Sequence, residues 1–162
     1  MIFLTVGSRE PFDRMVQAVD TWCLLHPDVE IFGQVATGLH RPTNFPFADY
    51  LTPDKYRQTF GEAKLIISHA GIGTILTAMT QSKRIVIMPR RADLKETRSD
   101  HQMATLRALK GHPGIYAARD EAELGPILNE VATRDNDSQL SAIPRFADPR
   151  LISAISNFIH SG

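Results

Sequence analysis

The sequence holds a single cysteine, Cys23. That excludes an internal disulfide and any multi-cysteine metal site, and on the apolar side of an expected helix Cys23 reads as buried filler. Neither charge sign is in excess. The 18 Lys and Arg offset the 18 Asp and Glu, so the basic footprint of a nucleic-acid-binding protein is missing. No apolar run approaches membrane-spanning length, and residues 1–6 are too short and lack the basic leader of a secretory signal. A cytoplasmic protein is expected, with any membrane contact made through a partner or a surface. Two nucleotide signatures are also absent. There is no GxxxxGK[ST], which argues against a P-loop enzyme, and Leu76 stands where the dinucleotide fingerprint needs its third glycine.

What is present is a single-domain length of 162 residues and a repeated alternation of β-rich and amphipathic segments. Residues 2–6 read as a strand. Pro11 opens a helix whose apolar stripe runs through Phe12, Met15, Val16, Val19, Trp22 and Cys23. Residues 30–36 form a second strand, 37–46 a loop and 47–51 a short strand. Thr52 then caps a helix with Pro53 at its first position, turning Tyr56, Phe60 and Ala63 inward. Residues 84–88 are a buried strand stopped by Pro89, and 90–98 a charged loop. Ser99 and Gln102 have capping-box spacing for a helix that buries Met103, Leu106 and Leu109. Residues 114–118 are a last strand, and Asp120 caps a helix through Val131. Residues 134–148 are polar and irregular, a flexible stretch, and 149–160 form an amphipathic helix docked on the sheet, on a partner or on a membrane surface. The expected fold is α/β: a Rossmann-like parallel sheet with helices on both faces, one domain over 1–162 with its core in 1–133.

The centre of the chain is KLIISHAGIGTILTAM, residues 64–79. Leu65, Ile66 and Ile67 suit a strand covered on both faces. His69, Ala70, Gly71, Ile72, Gly73 and Thr74 make a turn, and Ile75, Leu76 and Met79 recur at helical spacing. Such a turn aims unpaired N–H groups and a helix dipole at one spot, and Gly71 and Gly73 leave the backbone open to an anion. The chemistry is that of a phosphate cradle, although a Gly-x-Gly turn also serves plain packing. In a parallel sheet ligands bind where the carboxyl ends of the strands gather. That brings together Gly7, Ser8 and Arg9, Thr37 and Gly38, the 69–74 turn, and the loop 89–102. A diphosphate between two glycine turns, with a sugar or base at the charged loop, fits this layout.

The segments MIFLTVGS, PFDRMV, ISHAGIGTIL, IVIMPR and DHQ together resemble the carboxyl-terminal donor domain of family-28 glycosyltransferases, over residues 1–118. The resemblance is strongest to small free-standing members, namely bacterial exopolysaccharide glucuronosyl- or galactosyltransferase subunits and the catalytic subunit of the dolichol-linked N-acetylglucosamine transferase. It implies the carboxyl-terminal half of a GT-B enzyme, which binds a UDP-sugar as substrate and uses no cofactor. The acceptor half would be a separate membrane-associated subunit, since 162 residues are too few for both. The acceptor would be a lipid-linked saccharide, transfer would invert the anomeric centre, and the chain would sit at the inner face of the membrane through its partner. By the same resemblance Gly7 and Ser8 face the diphosphate. His69, Gly71, Ile72, Gly73 and Thr74 line the phosphate and ribose side. Asp100 and Gln102 hydrogen-bond sugar hydroxyls beside His101, and Arg90 sits near the mouth. Many relatives carry a ribose-binding acid three residues after the matched threonine, where this chain has Thr77.

A departing diphosphate needs positive electrostatics, which N–H groups and a helix dipole supply, so a divalent ion is not required. The D-x-D match Asp135-Asn136-Asp137 falls in the irregular stretch and reads as solvated loop. His69 and His101 are the titratable candidates for a general base, His69 equally reading as a turn histidine bonded to backbone. Arg90, Arg91, Lys95 and Arg98 interleave with Asp93, Glu96 and Asp100 as a solvated charged face would. An acidic sugar such as glucuronate is the alternative partner for one of these arginines. Two other function classes stand beside the transferase. One is a non-catalytic nucleotide-sugar-binding or regulatory module. The other is a GT-B-type epimerase or a dinucleotide enzyme, which length and the missing glycine oppose. A donor half alone would also expose a broad interface and favour self-association.

Overall fold

The computed structural model describes residues 1–7, 10–132 and 140. Ser8, Arg9, the 134–148 stretch with its Asp135-Asn136-Asp137 motif, apart from Leu140, and the expected helix over 149–160 therefore lie outside the described residues. The elements alternate as anticipated: β1 (Ile2–Thr5), α1 (Asp13–Leu25), β2 (Ile31–Gln34), β3 (Phe47–Ala48), α2 (Pro53–Glu62), β4 (Leu65–His69), α3 (Ile72–Thr80), β5 (Arg84–Met88), α4 (His101–Leu109), β6 (Ile115–Ala117) and α5 (Glu121–Ala132). The strands form one sheet in the order β3-β2-β1-β4-β5-β6, every pair parallel.

The period-two alternation of the strands divides the core. Ile2, Leu4, Leu65, Ile67, Val86 and Met88 face α1 and α5, where Met15, Val19, Trp22, Leu124 and Leu128 meet them. Phe3, Ile66, Ile85 and Ile87 face the other way, against Phe60 of α2, Ile75 and Ala78 of α3 and Leu106 of α4. Each central strand is buried on both sides, which is why these segments read as continuous apolar runs.

Three local expectations change. Pro11 does not open α1. Phe12 is the N-cap, and the carbonyl of Pro11 is turned to the Arg90 guanidinium instead of into the helix. Ser99 and Gln102 do not form a capping box. Helix α4 starts at His101 after Asp100, Ser99 Oγ lies 2.9 Å from His101 Nδ1, and Gln102 Oε1 accepts the N–H of Arg90 at 3.0 Å. Leu76 does not join the inward stripe of α3. Ile75 and Ala78 are buried, while Leu76 is 45% exposed and Ile72 55%. The Thr52 cap holds, its hydroxyl accepting from Lys55 N, as does Asp120, which accepts from Glu123 N.

Candidate functional site

Strands β1 and β4 lie side by side, but their chains leave in opposite directions. After β1 the chain passes through α1 to β2; after β4 it passes through α3 to β5. The carboxyl ends of these two strands thus border the crevice in which open α/β sheets bind ligands. Gly7 stands at one end and His69 at the other.

The imidazole of His69 is fitted between two glycines. A Cβ on Gly7 would lie 2.7 Å from His69 Cε1, and Gly7 has φ +93°, a left-handed conformation that glycine alone adopts without strain. A Cβ on Gly71 would overlap His69 Nε2. Gly71 is thus required by the histidine. Gly73 differs: a Cβ there meets nothing within 4 Å and would project into open space. Burial, with smaller contributions from Arg90 and His101, pushes the His69 pKa down to about 4. The ring is therefore neutral at physiological pH. Its Nδ1 lies 3.3 Å from Ser68 Oγ.

Helix α3 begins beside it. Its N-cap is Gly71, which brings no side chain to satisfy the first N–H groups. Those of Ile72, Gly73 and Thr74 precede the first possible helical partner and point, with the positive end of the helix dipole, toward the crevice.

Two cavities meet here. The larger, of about 730 Å³, is lined by Gly7, His69, Gly71, Gly73, Thr74 and Thr77, and by Gln34, Tyr50, Leu51, Tyr56 and Arg57 from other elements. Gln34 is buried at the end of β2, donating to Gly7 O at 3.1 Å and accepting from Leu51 N at 2.9 Å, so it ties the β1 turn to the β3–α2 loop. The Tyr56 hydroxyl hydrogen-bonds with Thr5 and Thr74, and burial raises its pKa. Thr5 Oγ1 in turn accepts from Gly7 N. The smaller cavity, of about 400 Å³, is lined by Gly7 and His69 again, with Glu10, Arg90, Thr97, His101 and Gln102. Gly7 and His69 thus form the wall common to both.

The expected site residues divide on these walls. Gly7, His69, Gly71, Gly73 and Thr74 converge on the larger cavity, and Arg90, His101 and Gln102 on the smaller. Ile72 is present through its backbone at the start of α3; its side chain lines neither cavity. Asp100 also lines neither, and its Oδ1 accepts from Ala92 N at 3.1 Å, which folds the loop back on itself. Arg90 is a structural tie. It is 3% exposed, donates to the carbonyls of Val6, Glu10 and Pro11, and lies 4.7 Å over the Phe12 ring. The solvated-face reading describes Arg91, which pairs with Asp93. Glu96 instead turns inward to Arg14 and to the N–H of Arg91. Sequence reasoning missed Gln34, Tyr50, Leu51, Tyr56, Arg57, Glu10 and Thr97. Of these only Gln34, a lone polar residue ending an apolar strand, carried a local signal.

No protein-family model matches the chain, and no curated protein matches it. Solved structures do. It is similar to MurG of Acinetobacter baumannii (TM-score 0.56, 20% identity, 81% of this chain and 40% of that one). It is similar to the glycotransferase of kitacinnamycin (TM-score 0.59, 14% identity, 82% and 35%). It is also similar to ALG13, determined by NMR (TM-score 0.59, 17% identity, 98% and 96%). The chain spans well under half the length of the first two and nearly all of the third. At these identities the likeness establishes the fold: a six-stranded, all-parallel Rossmann-like domain matching those of GT-B glycosyltransferases.

Proposed function

We propose that this chain is the donor-binding subunit of a UDP-sugar-dependent glycosyltransferase of the family-28 kind. One observation carries the reading: two cavities of unequal size share the Gly7–His69 wall at the switch point of the sheet. A nucleoside diphosphate sugar has that shape. The nucleoside occupies the larger cavity, beside Tyr50, Leu51 and Tyr56. The diphosphate lies against the N–H groups opening α3. The sugar reaches the smaller cavity, toward Thr97, His101 and Gln102.

The acceptor hydroxyl attacks the anomeric carbon, the bond to the diphosphate oxygen breaks, and UDP departs with inversion. The backbone N–H groups and the dipole of α3 stabilise the charge gathering on the leaving diphosphate. His69, neutral and held between Gly7 and Gly71, serves as a hydrogen-bonding group where the diphosphate meets the sugar. The general base for the acceptor hydroxyl is assigned to the acceptor side. That side is a second, membrane-associated chain presenting a lipid-linked saccharide. That the chain spans only 40% and 35% of the two longer neighbours supports a separate acceptor side. Leu39, Tyr50, Ile72 and Leu94, all exposed on loops or helix starts at the carboxyl edge of the sheet, form the apolar rim it would meet.

Saturation-transfer NMR with UDP on the purified chain tests the donor site. Signal at the uridine protons is expected, and loss by at least about tenfold in affinity in Gly73→Asp, whose carboxylate would occupy the anion's place. Uridine signal unchanged by that substitution would remove the assignment. Co-expression with the acceptor subunit then separates transferase from inert binding module: the module binds UDP and transfers nothing.

A further inference from the structure

Gln34 is polar, 4% exposed and placed where β2 ends beside the crevice. Burying a side-chain amide is costly unless its donor and its acceptor are both paired. Here they are paired across two loops that are far apart in sequence. Nε2 donates to Gly7 O at 3.1 Å, and Oε1 accepts from Leu51 N at 2.9 Å. Gly7 belongs to the wall common to both cavities, and Leu51 lines the larger one beside Tyr50 and Tyr56. One amide thus joins the diphosphate end of the donor site to its nucleoside end. Gly7 has φ +93°, and the peptide that follows a glycine turns more freely than any other. Thr5 Oγ1 accepts its N–H at 3.3 Å and Gln34 takes its carbonyl. Released from Gln34, that carbonyl is free to turn its negative end toward the diphosphate. On the other side, the backbone after β2 holds the facing chain as far as Asp49, with Val35 N donating to Ala48 O and Ala36 N to Asp49 O. Beyond Asp49, the bond from Leu51 N to Gln34 sets where Tyr50 and Leu51 stand.

We propose, resting on the donor reading above, that Gln34 is a positioning residue for the nucleotide. It orients the Gly7 carbonyl toward β2 and sets the nucleoside wall at the spacing that a nucleoside diphosphate requires. Affinity for the whole ligand depends on this bridge, because its two ends bind as one unit only when both walls are already in place.

The test is titration calorimetry with UDP on the full natural chain, Gln34→Met and Gln34→Glu, each at pH 8 and pH 5.5. Gln34→Met fills the volume and makes neither bond. In Gln34→Glu the ionised carboxylate accepts from Leu51 N but repels the Gly7 carbonyl, whereas the protonated carboxyl again offers one donor and one acceptor. Burial and the facing carbonyl both favour that protonated form. His69 is neutral and Tyr56 protonated at both pH values, and the natural chain measured at each pH corrects for the titration of UDP's own phosphate. At pH 8 both variants are expected to bind UDP about tenfold more weakly than the natural chain. At pH 5.5 Gln34→Glu is expected to return to within about threefold of it, with an unchanged far-UV circular dichroism spectrum, while Gln34→Met does not. A general loss of packing would not be reversed by one proton. Gln34→Met binding UDP as the natural chain does, or Gln34→Glu recovering no further than Gln34→Met, would overturn the inference. If Gln34→Met does not fold, the comparison of the two pH values within Gln34→Glu decides alone. Either overturning result leaves the donor reading standing as long as the natural chain binds UDP. Absence of UDP binding by the natural chain would overturn the donor reading, and this inference with it.

Discussion

At the scale of single residues the site is organised by one side chain and the space made for it. His69 closes β4 with its ring between Gly7 and Gly71, in contact distance of positions where any Cβ would collide with it. The two glycines of the turn therefore do different work. Gly71 admits the imidazole, and Gly73 leaves room beyond the helix start. The enclosure has a thermodynamic signature. Burial, aided by Arg90 and His101, holds the folded-state pKa of His69 at about 4, against an ordinary value of 6.5. Between those values the unfolded chain binds a proton that the folded chain excludes, so stability rises with pH across the window and is lost as pH falls through it. Integrated over that interval, the linkage is on the order of 2–3 kcal/mol. His69→Asn keeps a neutral polar group in the slot and removes the titration. Urea unfolding at pH 7 and pH 4.5 is expected to show the natural chain losing roughly 2 kcal/mol more than His69→Asn between the two. Equal losses would mean that the ring is not held neutral.

At the scale of elements the decisive feature is a tie between loops that are remote in sequence. Arg90 follows β5, yet its guanidinium is bound by carbonyls of the β1–α1 loop, and its own N–H is accepted by Gln102 at the start of α4. Arg14 of α1 makes the complementary link, donating to both Glu96 oxygens at 2.9 Å, to Pro89 O and to Glu121. Together they fix the β5–α4 loop, which lines the smaller cavity through Thr97, against the loop that carries Gly7. Lysine is a point charge without the fork that reaches several carbonyls at once. Arg90→Lys is expected to leave buried carbonyls unpaired and to cost roughly 2–4 kcal/mol in chemical denaturation. A variant within about 0.5 kcal/mol of the natural chain, the scatter of an ordinary surface change, would show that the tie contributes little. None of this is local, and so little of it was legible. RRADLKETR reads as a charged, solvated loop because what buries Arg90 lies near residues 6–11. Gln102 reads as half of a capping box because Arg90's need for an acceptor is invisible in sequence. The legible parts were those with a local cause: apolar runs for strands buried on both faces, the Thr52–Pro53 helix start, and the glycine turn after β4. Tyr56, Arg57 and Glu10 enter the cavities only through tertiary placement, which periodicity does not encode.

At the scale of the whole molecule the two layers of helices are not independent bodies. Along β1 the side chains of Ile2 and Leu4 belong to the core beneath α1 and α5, and Phe3 to the core beneath α2, α3 and α4; β4 and β5 alternate in the same way. Neither layer can leave without exposing the opposite face of the same strands, so both should unfold together. The single tryptophan makes this testable. Trp22 is 4% exposed, donates to Asn129 Oδ1 at 2.7 Å and stacks on His26, all within the α1–α5 layer, so its emission reports that layer alone. Far-UV circular dichroism reports both. Urea transitions followed by the two signals are expected to coincide. The crevice is lined by helices of the α2–α4 layer and by the ends of strands that both layers share, so a ligand bound there stabilises both at once. UDP at about a hundred times its dissociation constant should raise the unfolding free energy by roughly 2.7 kcal/mol in both signals equally. A shift seen by circular dichroism but not by Trp22 would place the ligand on the α2–α4 layer alone and break the link drawn here between the switch point of the sheet and the stability of the whole domain.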